Sequence, residues 1–273
     1  LYLQARWVFK NPERHLLGNH YFSNIKAIIF CACIFESKES NQWLSWSLKK
    51  LNAQLKEQIL SDGGHFERSP MYHALFLEDI LDIINLGKTS YKIDNNIMFN
   101  LSSTAVQMLI WLETMIHPDE DISFFNDASI GISHTYNALL NYFLLLKLDV
   151  KKIKREKNKL NAFILNDSGY IRLENKNAVA ILDVAPLGPD YLPAHGHADT
   201  LTFEMSILNQ RIIVNGGTSC YGNSKVRIKE RKTRSHSTVE INNRDSSEVW
   251  KNFRVARRAY PRGLSIKKEE NKI

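Results

Sequence analysis

Three observations predict an α+β chain in which a layer of helices is followed by a layer of antiparallel strands. Up to about residue 150 the apolar residues recur at helical spacing. Past the run Lys151-Lys152-Ile153-Lys154-Arg155 they fall into short segments rich in β-branched residues. Turn-forming residues punctuate both halves. The helical part is expected over residues 1–155 and the strand part over 156–273, with the boundary near 150–160.

Five helices are expected. Tyr21–Phe35 is an apolar-periodic stretch, and Gln42–Leu60 carries Trp43, Leu44, Leu48, Leu51, Leu55 and Ile59 on one stripe. Tyr72–Leu86, Ile97–Ile116 and Ser129–Leu148 continue the pattern, with Gly63-Gly64, Gly87 and His117-Pro118 as helix stops. The expected strands are Phe163–Leu165, Tyr170–Leu173, Ala178–Val184, Leu201–Ile207, Arg211–Val214 and Thr238–Ile241. Asn166-Asp167-Ser168-Gly169 and Leu208-Asn209-Gln210 suit hairpin turns. Leu201, Phe203, Met205 and Ile207 alternate with Thr202, Glu204 and Ser206, the pattern of a half-buried antiparallel strand. No period of 20–50 residues repeats.

With 273 residues, 44% of them hydrophobic and 24% charged, the composition is globular and argues against disorder. The longest apolar run, Ile28–Phe35, is far short of the ~18–20 residues of a membrane helix. Arg6, Lys10 and Arg14 interrupt any signal-peptide core, and the absence of an initiator Met suggests a mature or excised piece. Three cysteines are too few for a disulfide scaffold; Cys31 and Cys33, two apart on a helix, point to different sides and read as buried structural residues. The net charge of +7 is unevenly placed: residues 223–273 hold fifteen Lys/Arg against six Asp/Glu, and a second basic cluster spans Lys151–Lys159. Such a surface suits a polyanion, although for Lys151–Lys159 a solvated linker is the plainer reading. Zinc-finger spacing, a helix-turn-helix signal and basic residues interleaved with stacking aromatics are all missing, so a nucleic-acid partner is not expected.

Four polar clusters hold five of the nine histidines: Gly18-Asn19-His20, Ser69-Pro70-Met71-Tyr72-His73, His195-Gly196-His197-Ala198-Asp199 and Arg234-Ser235-His236-Ser237. His65, His117 and His134 read as satisfied core or surface residues. His195 and His197 precede a strand, share a face in extended backbone, and with a third histidine downstream have adequate metal spacing. On spacing alone a structural role is the plainer reading. Tyr72, at the mouth of a helix, suits either packing or proton transfer, since a phenol's pKa responds to neighbouring charges.

Four colinear stretches carry a resemblance. They are Leu16–His20, Asp62-Gly63-Gly64-His65-Phe66-Glu67-Arg68-Ser69-Pro70-Met71-Tyr72-His73, His195–Asp199 running into Leu201–Glu204, and Ser247–Trp250 through Phe253–Arg258. Together they resemble the heparinase II/III-like polysaccharide lyases over residues 10–260. The resemblance implies a partial (α/α) toroid followed by an antiparallel β-sandwich, in a fragment of a longer protein. It implies cleavage of a uronate-containing anionic polysaccharide by β-elimination, in a periplasmic or secreted setting. It gives Asn19 and His195, with His20 beside them, to the uronate carboxylate, Tyr72 to proton transfer, and Tyr221 to a second catalytic phenol. His73, Arg234 and Glu67 become substrate-binding residues, His73 either touching substrate or supporting Tyr72. A structural zinc is implied at His197, His236 and Asn215, although Asn215 stands where the family usually has Asp, and an amide is a poorer zinc ligand. The basic C-terminal fifth would hold the anionic polymer. The alternative is a non-catalytic glycan-binding or polysaccharide-assembly protein on the same fold. A glycoside hydrolase would need two carboxylates across a cleft, and nothing in the spacing of Glu67, Glu78 and Asp79 singles out a pair.

Overall fold

The computed structural model describes residues 1–149 and 159–267. The basic run 151–158 and the expected boundary lie outside the described residues. Six longer helices come first: α1 (Tyr2–Lys10), α2 (Gly18–Ile34), α3 (Lys38–Gln58), α4 (Pro70–Ser90), α5 (Asn95–Met115) and α6 (Tyr136–Leu145). The starts of α3 to α6 follow from side-chain caps. Ser37 and Ser40 form a capping box on α3, Ser69 caps α4 with Pro70 in its first turn, and Asp94 caps α5. The cap on α6 is Thr135, which shortens the helix expected over Ser129–Leu148. Gly87 is not a helix stop. It lies inside α4 where a Cβ would collide with Met98 of α5, so the glycine serves a close helix–helix approach. α1 was not expected, because nine residues are too few for a clear period; its Tyr2 and Phe9 rings pack on Trp43.

The second half builds a five-stranded antiparallel sheet in simple meander order: β1 (Asn161–Leu165), β2 (Tyr170–Glu174), β3 (Ala178–Asp183), β4 (Phe203–Ile207) and β5 (Gln210–Ile213). Gly169, at φ +80°, makes the β1–β2 turn, and Leu208 and Asn209, both left-handed, make the β4–β5 turn. A short helix α7 (Lys225–Glu230) and a two-stranded ribbon, β6 (Val249–Trp250) with β7 (Arg254–Val255), follow. Thr238–Ile241 is not a strand; positive φ at Asn242 and Asn243 turns the chain after a single bridge between Ile241 and Arg244. A helical part followed by an antiparallel sheet is therefore the architecture. Among the described residues the sheet side consists of this one five-stranded sheet and the ribbon, no helix is long and apolar enough to cross a membrane, and all three cysteines are free.

The alternation along β4 is present but turned the other way. Thr202, Glu204 and Ser206 are buried, while Leu201 and Ile207 are exposed. The polar face points inward because the helical part meets it with matching partners. His117 bonds Glu204 through Nε2 at 2.9 Å and Ser206 through Nδ1 at 2.7 Å, and the other Glu204 oxygen accepts from the Phe124 and Asn215 backbone amides. A buried carboxylate so fully bonded does not need an apolar strand face around it. His117 is thus a satisfied core histidine.

Two features lock the halves together. Trp111, Met115 and Phe125 from the helical part pack with Leu165, Tyr170, Val179 and Ile181 from the sheet. Around this core, Asp62 accepts bonds from the Asp167 and Ser168 amides, and Arg68 donates to the Ser168 carbonyl at 3.0 Å. Much of the Asp62–Ser69 motif is therefore an adaptor that seats the helical part on the β1–β2 turn.

Candidate active site

Tyr72 is the third residue of α4, and its position is set by the Ser69 cap, whose Oγ accepts from the Tyr72 amide at 3.3 Å. Its ring meets that of His195, from the loop before β4, with centroids 4.1 Å apart. Its hydroxyl bonds that of Tyr221 at 2.9 Å. Residues 72, 195 and 221, distant in sequence, thus share one site. Phe253 closes the group, 5.7 Å from His195 and 5.5 Å from Tyr221 between ring centroids. The cluster lies between two hollows. One, of about 340 Å³, is lined by Asn19, Ser23, Tyr72, Phe76, Glu78 and Asp79. The other, of about 460 Å³, is lined by Tyr191, Ala194, Asn223, Lys251, Phe253 and Arg254 among others.

Electrostatics sort the groups. Burial pushes the Tyr72 phenol up to about 12, helped by the nearby charges of Asp127 and Glu67. Burial also pushes Tyr221 well above the ordinary phenol value. Both phenols therefore hold their protons at neutral pH. Burial pulls the His195 imidazole down, but its hydrogen bond to Asp127 and the charges of Glu67 and Asp127 outweigh this, and its pKa is raised. Glu67 is buried, its carboxyl raised by desolvation; Oε2 has no hydrogen-bond partner and lies 3.8 Å from His195 Nε2. Gly18 sits against it: a Cβ there would come 2.9 Å from Glu67 Oε1, so the start of α2 can pass close to this carboxyl only with glycine.

The remaining expected residues divide. Asn19 lines the first hollow with Tyr72. His20 is exposed, 3.7 Å from Glu13, and lines neither hollow. His73 does not reach substrate space: it is fully buried and stacked on Trp111, with Nδ1 accepting from the His65 amide and Nε2 on the Met108 carbonyl. It supports α4 from behind Tyr72. Arg234 turns to Glu240 at 3.0 Å on the surface, and none of its bonds among the described residues reaches the cluster. The basic excess is also partly structural. Arg227 and Arg231 are fully buried, Arg231 bonding the Gly196 and Asn252 carbonyls. Arg257 and Arg258 pair with Glu248 and Asp190.

The implied zinc set does not fit. His197 and His236 face each other, ring centroids 5.2 Å apart, with His197 Nδ1 and both His236 nitrogens unpartnered. The third expected ligand is spent: Asn215 Oδ1 accepts from Thr202 Oγ1 at 2.9 Å and from the Ser237 amide at 3.1 Å. Its free Nδ2 is a donor, which no metal ion accepts as a ligand. Among the described residues no three His, Cys, Asp or Glu side chains are placed to hold a metal.

Two residues that the sequence did not flag organise the site. Asp127 accepts from His195 Nδ1 and His197 Nε2, each at 2.8 Å, and pairs with both Arg227 guanidinium nitrogens. Burial pushes its carboxyl up, but these bonds outweigh it and hold Asp127 well below the usual carboxylate range. Asn126 bonds the Arg68 carbonyl on one side and the His197 amide on the other. Neither residue lies in a periodic segment, and Arg227 is one of many basic residues in its region.

A helical layer seated on an antiparallel sheet, with a phenol pair and a buried imidazole in the groove between hollows, defines a class that comparison with known proteins makes specific. The heparinase II/III N-terminus model matches residues 1–149, and the heparinase II/III-like C-terminal model matches residues 158–273. The chain belongs to the heparinase II/III family. It is 26% identical over 250 residues to a heparin-sulfate lyase of Pedobacter heparinus and 24% identical over 254 residues to a heparin-sulfate lyase of Bacteroides stercoris. Those matches cover 84% and 85% of this chain but 36% and 37% of the relatives, so the chain spans little more than a third of their length. Its fold is shared with a structure of heparinase III (TM-score 0.75, 20% identity, 91% of this chain and 44% of that one). It is also shared with a heparan sulfate lyase structure from Pedobacter heparinus (TM-score 0.65, 22% identity, 90% and 40%).

Proposed function

We propose that this chain carries the catalytic cleft of a lyase that cleaves uronate-containing anionic polysaccharide by β-elimination. The observation that carries the reading is the Tyr72–Tyr221 phenol pair beside His195; the names of the heparin-sulfate lyase relatives support it. Elimination requires that the C5 carboxylate be held, the C5 proton removed and the leaving O4 protonated. Two protonated phenols joined by one hydrogen bond can do both proton transfers without changing their proton count. Tyr221 takes the C5 proton as its own passes to Tyr72, and the Tyr72 proton goes to O4. The C5–H and C4–O4 bonds break, a C4=C5 double bond forms, and O4 leaves as a hydroxyl. As charge develops on the uronate carboxylate, His195 Nε2 and the Asn19 amide stabilise it, with His20 following Asn19 in the chain as an auxiliary donor. Lys251 and Arg254, lining the second hollow, hold anionic groups of the polymer on that side. Such a substrate fits a periplasmic or secreted enzyme. No step passes through zinc, because the donor set at His197, His236 and Asn215 is incomplete.

The test is incubation of the full chain with a panel of uronate polymers, following the ultraviolet absorbance of the unsaturated uronate. Product is expected, and Tyr72→Phe is expected to lower the rate by about 10²–10⁴-fold with the fold intact. Polymer binding without any unsaturated product would favour the glycan-binding alternative and overturn the lyase reading.

A further inference from the structure

Asp127 touches neither hollow, since its side chain is completely buried, yet His195 is tied to it directly and Tyr72 and Tyr221 through one residue each. Its backbone carbonyl accepts from Ser69 Oγ at 2.5 Å, and Ser69 is the cap that sets Tyr72. Its backbone amide donates to the His195 carbonyl at 3.1 Å. Its carboxylate accepts from His195 Nδ1 through Oδ2 and from His197 Nε2 through Oδ1. Arg227 closes the carboxylate with both terminal nitrogens, donates to Thr218 Oγ1 at 2.9 Å, and lies 5.2 Å from the Tyr221 ring centroid and 5.7 Å from that of Phe253. Four stretches of chain, around residues 70, 127, 195 and 227, thus meet at one buried aspartate, the last two at its carboxylate.

A carboxylate paired with arginine has no proton to give and can only accept. The His195 nitrogen that faces it must therefore carry a proton. With Nδ1–H committed to Asp127, Nε2 is the ring nitrogen of His195 left to meet substrate; it lies 3.8 Å from Glu67 Oε2, and the ring packs against Tyr72. An imidazole without that partner can exchange its two neutral forms and turn about its ring torsion, which misplaces the nitrogen that meets substrate.

We infer that Asp127, clamped by Arg227, is a positioning residue for the elimination: it commits the Nδ1 proton of His195 and aims Nε2 at the uronate carboxylate. The inference rests on the lyase reading. Misplacement of a reacting group by about 1 Å costs on the order of 10²-fold in rate, which sets the expected effect.

The first measurement uses the unaltered full chain labelled with ¹⁵N-histidine, with His195 assigned by comparison with His195→Gln. A proton directly bonded to His195 Nδ1 at neutral pH is expected; an Nδ1 without a proton overturns the inference. The second measures turnover of Asp127→Asn, and of the charge-balanced double variant Asp127→Asn/Arg227→Gln in case the single one leaves Arg227 buried without a counter-charge and unfolds. Normalised to the folded fraction, kcat is expected to fall about a hundredfold with KM changed less than about threefold, and the His195 Nδ1 proton signal is expected to be lost. A folded variant that keeps kcat within threefold overturns the positioning role. If the unaltered chain makes no unsaturated product, the lyase reading fails instead, and the ¹⁵N signal still reports whether Asp127 commits the His195 proton.

Discussion

His195 and His197 stand two residues apart on either side of one carboxylate, and each gives it one bond. They differ in which nitrogen they give. His195 bonds Asp127 through Nδ1 and keeps Nε2 toward Tyr72 and Glu67. His197 bonds it through Nε2 and keeps Nδ1 buried, facing His236 with no partner. The first ring becomes an edge of the cleft and the second a piece of the interior. A His-x-His spacing therefore says that two imidazoles are near each other, and the partner of each nitrogen decides what each one does.

The sharpest way to break this comparison is to remove each ring in turn. His195→Gln is expected to lower turnover per folded molecule by about 10²–10³-fold, because the cleft loses its donor to the developing carboxylate charge. His197→Gln is expected to act on stability instead. One buried Asp127 oxygen loses a partner, worth about 1–3 kcal/mol in a urea unfolding midpoint, while turnover per folded molecule stays within severalfold. Equal losses of turnover in both variants would mean that the two histidines do the same work.

A smaller effect distinguishes cleft from core by pH. Burial drives His73 down to about 3 and holds His65 well below its ordinary value. In the unfolded chain these rings bind a proton near pH 6.5, whereas in the folded chain they stay neutral. Their contribution is complete above pH 6.5 and is lost as pH falls; for His73 the loss runs toward pH 3 and is on the order of 2 kcal/mol at pH 5, and His65 acts in the same direction. His195 has the opposite sign: its raised pKa contributes stability below pH 6.5, lost as pH rises through its folded value. Urea midpoints at pH 5 and pH 7 measure the balance, and His73→Phe is expected to flatten the acid side. The smallest expected effect is that of a chelator. With no complete donor set at His236 and Asn215, dialysis against EDTA is expected to leave Tm within about 2 °C; a larger drop would show that the interior side of the comparison holds a metal after all.

Much of the helical part was legible because its apolar residues recur with the helical period. The true starts of α3, α4 and α5 lie two to four residues ahead of the expected ones, where Ser37, Ser69 and Asp94 cap them. Motifs singled out Tyr72, Asn19 and His195; in the structure Tyr72 packs on His195 and shares a hollow with Asn19. Of the two readings open for His73, the structure favours support over substrate contact: on a helix the residue after Tyr72 points elsewhere, and here it points into Trp111. Arg234 sits beside His236 in sequence and turns out to Glu240. The inward polar face of β4 was illegible for a related reason: its direction depends on His117, about 90 residues earlier, which supplies the partners that let Glu204 be buried.

Local physical chemistry carried by the sequence determined the element types, most helix starts, the hairpin turns and the residue types available to the cleft. Caps, periods and turn conformations act over a few residues and need nothing from the rest of the chain. Tertiary structure alone decided which nitrogen of each histidine works, that Arg227 would be a buried counter-ion to a carboxylate one hundred residues away, and that Asn215 would spend its carbonyl on Thr202 and Ser237. Hydrogen bonds between buried groups depend on which partners folding brings within 3 Å, and that distance is not written in any single stretch of residues.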